Sequence, residues 1–335
     1  MLTVLEPEGL YPDTALEDEI FAGRARLIRG GGQGGLDGLP DELCAQAEGL
    51  FIFRNWLHGR DLARFPKLKA VVRMGVGYDR LDRPALAERG VMVCNVPDYG
   101  TAEVADHAMA LALALRRGIT LHHDLQRRDP PAPWQQVETP LVQRLEEQDF
   151  GIIGLGRIGT AVALRARAFG FRVRFFDPYL PNGVERALGI ARARSLEDLL
   201  EGTDTLSLHA PLTQATRGLL DEAALRRLRP GAVVVNTARG PILDIAALER
   251  CLRDGHLAGA GLDVLPVEPP VEPVPALLAA YRRGESWLAG RLIVTPHSAF
   301  HTPQAYADIR RKSAETMQEA LINGASRNEI RPNQE

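Results

Sequence analysis

In the C-terminal half of the chain, Arg239, Glu268 and His297 are the side-chain types that oxidation of a secondary alcohol calls for. Each falls at or just beyond the C-terminal end of a predicted strand. Such a reaction removes a hydroxyl proton, and histidine titrates near neutral pH, so His297 suits the base. A carboxylate against the second ring nitrogen sets the tautomer and favours the imidazolium, which is the part Glu268 would play. A guanidinium grips a carboxylate through two parallel hydrogen bonds, the part of Arg239. Singly, each has a plainer reading: His297, after Thr295-Pro296, as a packed loop histidine, and Arg239 and Glu268 as solvated charges. Their spacing alone does not decide.

The electron acceptor of such a reaction is signalled by Gly154-Leu155-Gly156-Arg157-Ile158-Gly159. A lone GxGxxG is weak evidence, but this one follows an apolar strand at Phe150 to Ile153 and opens a helix from Ile158 to Phe169 that stops at Gly170. Glycines there allow a tight turn, close approach of the backbone to a pyrophosphate, and packing of helix on strand, while the helix N-terminus faces the phosphates. The next strand, Val173 to Phe176, ends in Asp177, where an acid accepts from the adenosine ribose hydroxyls and disfavours the extra phosphate of NADP. Arg174 lies within that strand rather than after Asp177, so the reading is NAD.

The elements that must carry these residues follow from alternating apolar runs and helical stretches. Strands are expected at Thr3 to Leu5, Leu27 to Ile28, Leu50 to Phe53, Ala70 to Val72 and Val91 to Cys94. A second set is expected at Phe150 to Ile153, Val173 to Phe176, Thr205 to Leu208, Ala232 to Asn236, Ala260 to Val264 and Leu292 to Val294. Alternation of this kind implies parallel sheets, and the fold class is α/β with two Rossmann-like open parallel-sheet domains. Because the nucleotide turn sits mid-chain, one domain is discontinuous: 1–100 plus 302–335 form a flavodoxin-like substrate domain and 101–301 the NAD domain. Asp82, Ser195, Asp221 and Asp244 read as helix caps, and Thr101 to Arg117 as a long apolar-rich helix. Gly30 to Gly35 reads as a surface loop, since no lysine or helix-opening hydroxyl follows it. Pro266 to Trp287 reads as a proline cluster with an inserted short helix, and the role of the insertion at 269–291 is left open.

Composition excludes more than it selects. The formal net charge of -3, from 40 basic and 43 acidic residues, offers no cationic footprint for nucleic acid. Three scattered cysteines lack metal-ligand or disulfide spacing, which points to no metal and a reducing cytoplasm. The longest apolar stretch, Ala108 to Leu115, is too short to span a bilayer, so no membrane partner is expected.

Asn236-Thr237-Ala238-Arg239-Gly240, Gly261-Leu262-Asp263-Val264 and Thr295-Pro296-His297-Ser298-Ala299 resemble the D-isomer-specific 2-hydroxyacid dehydrogenases, over about Lys67 to Ile322. The resemblance is nearest to the branch that includes the C-terminal binding protein corepressors, through Asn95-Val96-Pro97 and Asp177-Pro178-Tyr179-Leu180. It implies that Arg239, Glu268 and His297 are catalytic and act on a small 2-keto or 2-hydroxy acid. It also implies that Asp263 binds the nicotinamide carboxamide, and that His209, Ala210, Pro211, Thr237 and Ala238 line the nicotinamide pocket beside Arg239 and His297. Val76 and Gly77 would present N–H groups to the substrate carboxylate, with Arg73 adding charge, although a tight turn accounts for the glycines about as well. Arg80 stands where the family usually has Asn. Tyr78 and Phe300 are expected at the substrate, within a set of aromatic and polar residues that includes Phe53, Asn55, Trp56, His58, Tyr99 and His301. The resemblance, with an arm at about 116–148, implies a homodimer, and closure between the domains would exclude water. His107, His122 and His123 read as solvated or interface residues. Two other readings stay open: an NAD-sensing corepressor-like protein, and a dehydrogenase of a phosphonate or other anion.

Overall fold

The computed structural model describes residues 1–31 and 35–331, so part of the glycine loop, residues 32–34, lies outside the described residues. The chain divides into two units, Met1–Tyr99 with Thr302–Glu335, and Gly100–His301. The first carries β1 (Leu2–Glu6), β2 (Ala25–Arg29), β3 (Gly49–Ile52), β4 (Ala70–Arg73) and β5 (Met92–Asn95). They form one parallel sheet in the order β2-β1-β3-β4-β5. The order reverses beside β1, so the loops after β1 and β3 leave the sheet at the place where open α/β sheets bind ligands. Helix Pro303–Met317 opens on Thr302, whose hydroxyl accepts from Ala305 N–H at 2.9 Å. Its Arg310 bonds the Glu17 carboxylate at 2.7 and 2.8 Å, and so ties this late segment to the early helix Ala15–Phe21.

The second unit continues with β6 (Asp149–Ile153), β7 (Arg172–Phe176), β8 (Ala191–Arg192), β9 (Thr205–Leu208), β10 (Ala232–Asn236), β11 (Leu257–Leu262) and β12 (Leu292–Val294). Their order is β12-β11-β10-β9-β6-β7-β8, all parallel: the doubly wound nucleotide fold, whose order reverses at β6. The central strand β10, Ala-Val-Val-Val-Asn, is wholly buried, because helices cover both faces of a parallel sheet and leave no solvent side for polar alternation. Each such valine contributes about 1.5–3 kcal/mol by leaving water.

Two expectations change. Seven strands replace six, because β8 is a two-residue edge strand with no apolar run to betray it. The strand expected at Ala260 to Val264 runs instead over Leu257–Leu262, through two glycines that strand propensity disfavours. Those glycines admit the helix Thr101–Arg116: a Cβ on Gly261 would meet Leu111 Cβ at 3.0 Å, and one on Gly259 would meet Leu115 Cδ2 at 3.1 Å. The same helix ends in the buried Arg116, which donates to Thr205 Oγ1 at 2.9 Å, to the carbonyl of Gly231 at 3.1 Å and to that of Asp204. Burial pulls the Arg116 pKa down to about 10, still charged at neutral pH. The helix is thereby held both at its small-residue crossing and at its end.

Asp82, Ser195, Asp221 and Asp244 each accept a backbone N–H at the helix starts they were expected to cap. Among the described residues no helix is long and apolar enough to cross a membrane.

Candidate active site

The loops after β10, β11 and β12 leave the second unit's sheet at its C-terminal edge, each held by a polar side chain near its root. After β10, the fully buried Asn236 accepts from Ala238 N–H and donates to the Arg239 carbonyl, both at 3.0 Å, so the backbone entering Arg239 is fixed. After β11, Asp263 is 1% exposed, and its carboxylate accepts from Ser298 N–H at 2.9 Å, Ala299 N–H at 3.0 Å and the Thr295 hydroxyl at 2.6 Å. Its carbonyl accepts from His297 N–H at 2.7 Å. The β12 loop therefore hangs on one aspartate.

His297 sits in that loop with φ of 52°, a left-handed conformation that costs a side-chain-bearing residue roughly 1–3 kcal/mol and persists only where the surroundings over-determine it. Its Nδ1 lies 2.6 Å from Glu268 Oε2, and Glu268 Oε1 accepts from Leu265 N–H at 2.8 Å. Burial works to raise the Glu268 pKa. The hydrogen bond and charge of His297, the Leu265 N–H and the charge of Arg239 outweigh it and hold the carboxyl below its usual range. Glu268 is thus an anion at neutral pH, and its contribution to stability is present above the ordinary carboxylate range and lost as pH falls through the depressed value. Arg239, Glu268 and His297 are brought together as one electrostatic group. The ring of Phe300 stands edge-on to His297, with centroids 6.4 Å apart.

The nucleotide turn follows β6, where the strand order reverses. Gly154 has φ of 86°, and a Cβ there would meet Ala210 N at 2.7 Å, while one on Gly159 would collide with the Gly154 carbonyl. Gly156 faces open space. Helix Arg157–Ala168 begins at Gly156 with no side-chain cap, so its first N–H groups are left for an anion. Asp177 accepts from Leu155 N–H at 2.9 Å and Tyr179 N–H at 3.0 Å, which locks it beside the turn. Thr237 Oγ1 is buried with no hydrogen-bond partner among the described residues. His209 Nε2 lies 2.8 Å from Ser207 Oγ, and burial of the ring pushes its pKa down to about 3, so it is neutral. An open cradle at Gly156, uncapped helix N–H groups and an orphaned hydroxyl at Thr237 fit a dinucleotide.

Several expected residues lie on the first unit. Arg73 ends β4 and is buried, with Nη1 donating to the Met74 carbonyl at 2.7 Å. Its guanidinium occupies the space a side chain on Gly75 would fill. No hydrogen bond from the backbone N–H of Val76 or Gly77 is found among the described residues, whereas the Val76 carbonyl accepts from Asn95 at 2.7 Å. Phe53 packs edge-on to Tyr306 at 6.2 Å, Trp56 stacks on His58 at 5.8 Å, and the Arg83 guanidinium covers Tyr78. Phe300 and His301 belong to the second unit. Among the described residues no group of His, Cys, Asp and Glu could hold a metal ion.

His107 corrects an expectation. It is partnered rather than solvated, with Nε2 3.0 Å from Thr295 Oγ1 and 3.7 Å from Asp263 Oδ1. His122 is partnered too, through the Gly118 carbonyl at 2.8 Å and Val137 N–H at 3.3 Å. Sequence reasoning missed His107 and Thr295 as a pair because 188 positions separate them and no local spacing encodes the contact.

The family profile for the D-isomer specific 2-hydroxyacid dehydrogenase NAD binding domain matches residues 109–299. The glyoxylate reductase of Korarchaeum cryptofilum is 36% identical over 271 residues, which cover 80% of this chain and 76% of that protein. The D-3-phosphoglycerate dehydrogenase of Bacillus subtilis is 39% identical over 210 residues, 62% of this chain but only 39% of that longer protein. Among solved structures, D-lactate dehydrogenase from Aquifex aeolicus, complexed with NAD and lactic acid, superposes with a TM-score of 0.81 at 26% identity, covering 96% of each chain. The chain belongs to the D-isomer specific 2-hydroxyacid dehydrogenase family. It is an NAD-dependent oxidoreductase.

Proposed function

We propose that this protein reversibly oxidises a D-2-hydroxy acid to the 2-keto acid, with His297 exchanging the proton. The observation that carries the reading is the 2.6 Å contact between His297 Nδ1 and the Glu268 carboxylate. With Nδ1 engaged, Nε2 is the nitrogen left to exchange a proton with the substrate hydroxyl. In oxidation that proton moves from the hydroxyl oxygen to Nε2, and Glu268 stabilises the imidazolium so formed; in reduction it returns. Bound NAD supplies the two-electron acceptor. Gly154, Gly156, Arg157, Ile158 and Gly159 hold its pyrophosphate, Asp177 its ribose, and Asp263, with His209, Ala210, Pro211, Thr237 and Ala238, its nicotinamide end.

Arg239 orients the substrate carboxylate and carbonyl by a two-pronged hydrogen bond. Val76 and Gly77 offer backbone N–H groups to the carboxylate, Arg73 adds positive charge, and Tyr78 and Phe300 favour an aromatic or apolar tail. The unit holding β1 to β5 is then the substrate domain, and the segment from about 116 to 148 is the homodimer arm of a cytoplasmic enzyme. Trp134, 92% exposed in that arm, supports the last reading, because a large apolar side chain left in water gains most from a partner surface. Asn95-Val96-Pro97 and Asp177-Pro178-Tyr179-Leu180 keep the branch nearest the corepressor-like members.

A panel of 2-keto acids tested for NADH oxidation, from glyoxylate to aromatic keto acids, decides. Turnover of at least one, fastest with an apolar tail, is expected. Tight NADH binding with no turnover across the panel would favour an NAD-sensing protein. A separate substitution, Asp177→Ala, should weaken NADH binding about tenfold or more, the worth of hydrogen bonds to a charged group, and narrow the preference over NADPH. Fluorescence titration with both cofactors measures it, and a wild-type preference for NADPH would refute the role of Asp177.

A further inference from the structure

We propose that His107 is a positioning residue for this dehydrogenase, acting through Thr295 and Asp263 on the loop that carries His297. The proposal rests on the reading of Asp263 and His297 given above. Its core is the direction of two hydrogen bonds. The Asp263 carboxylate only accepts, so the single proton of the Thr295 hydroxyl is committed to Oδ1 across 2.6 Å. At 3.0 Å from that hydroxyl, His107 Nε2 must therefore be the donor, with its proton on Nε2.

The consequence lies in how Asp263 is used. Its Oδ1 accepts from Thr295 and Ser298 and its Oδ2 from Ala299, which leaves roughly one of a carboxylate's four accepting directions, on Oδ2, for an amide donor of the cofactor. The same residue's carbonyl holds the N–H of His297 in its left-handed conformation. His107 stops the Thr295 hydroxyl from turning away, and the chain of two hydrogen bonds ends on the buried Asp263 carboxylate. The support for His107 is rigid in turn, since its helix is seated against Gly259 and Gly261 of β11, the strand that leads into Asp263.

His107→Phe and Thr295→Val should each raise the NADH dissociation constant and lower kcat by about fivefold to tenfold, the scale of one hydrogen bond, while the keto-acid KM changes less. His107→Gln, which keeps a donor, and Thr295→Ser, which keeps the hydroxyl, should restore most of the loss. The double variant should be little worse than Thr295→Val alone, because the hydrogen bond from His107 reaches Asp263 through that hydroxyl and the direct distance to Oδ1, 3.7 Å, is too long for one. Nitrogen NMR of the wild type should find a proton on His107 Nε2. Multiplying losses in the double variant, an NADH affinity of His107→Phe within twofold of wild type, or an Nε2 that carries no proton would each overturn the proposal. Should His107→Phe fail to fold, the Thr295 pair and the tautomer decide. If no keto acid is turned over, the proposed reaction fails, while NADH affinity and the tautomer still judge His107.

Discussion

Replacing His297 with alanine is expected to lower kcat for keto-acid reduction by about 10²–10⁴-fold, the range for removing a positioned acid or base, while NADH affinity changes by only a few-fold. The separation follows from placement. The residues proposed to hold the pyrophosphate and ribose lie on the turn after β6 and at Asp177, whereas His297 lies beyond β12 against Glu268. Alanine keeps the Cβ that makes the left-handed backbone costly, so that strain is not relieved and the melting curve should fall only by about the worth of the lost Glu268 contact. Stopped-flow reduction with the best substrate of the panel, beside an NADH titration and a melting curve, separates the three. Turnover within tenfold of wild type would remove His297 from the chemistry, and a parallel collapse of NADH binding would make it a cofactor residue first.

Glu268→Gln tests the other half of the pair through pH. The native carboxyl, held below its usual range, stays anionic across the working range and favours a charged ring beside it; an amide of the same shape does not. With His297 as the proposed acid, reduction uses the protonated ring, so the variant should lose most activity at neutral pH and recover part of it as pH falls, moving the reduction optimum to the acid side. Oxidation needs the neutral ring, so its profile should extend to lower pH as well. A loss of about 10²-fold at neutral pH, with displacement of both limbs in the same direction, is expected of an orienting carboxylate in an acid–base pair. An unchanged profile with uniformly reduced rates would mean that Glu268 only packs the loop. Stability carries a second signature: wild type should lose its advantage over the variant as pH falls through the depressed carboxyl value, because protonation then abolishes the ion pair.

Much of this architecture is legible in the chain. Strands such as Ala232 to Asn236 and Leu292 to Val294 coincide with the structure residue for residue, because a buried parallel strand is a short, nearly unbroken apolar run bounded by polar turns. The glycine turn at Gly154 was legible for the opposite reason, since backbone geometry alone demands glycine there. The edge strand β8 escaped notice because its two residues bury too little to leave a pattern. The start of β11 escaped because its glycines serve a helix crossing rather than the strand itself.

By itself the sequence determined the order of the strands other than β8, the mid-chain nucleotide turn with Asp177, and the reactive side-chain types at the ends of strands. These depend on neighbours a few positions apart, where periodicity, capping and turn chemistry act. Tertiary structure decided which of those side chains meet. Glu268 finds His297 across 29 positions, and His107 finds Thr295 across 188. Contacts of that span are set by strand order and by the seating of one helix on a glycine strand, which belong to the packed sheet and not to any local run of residues.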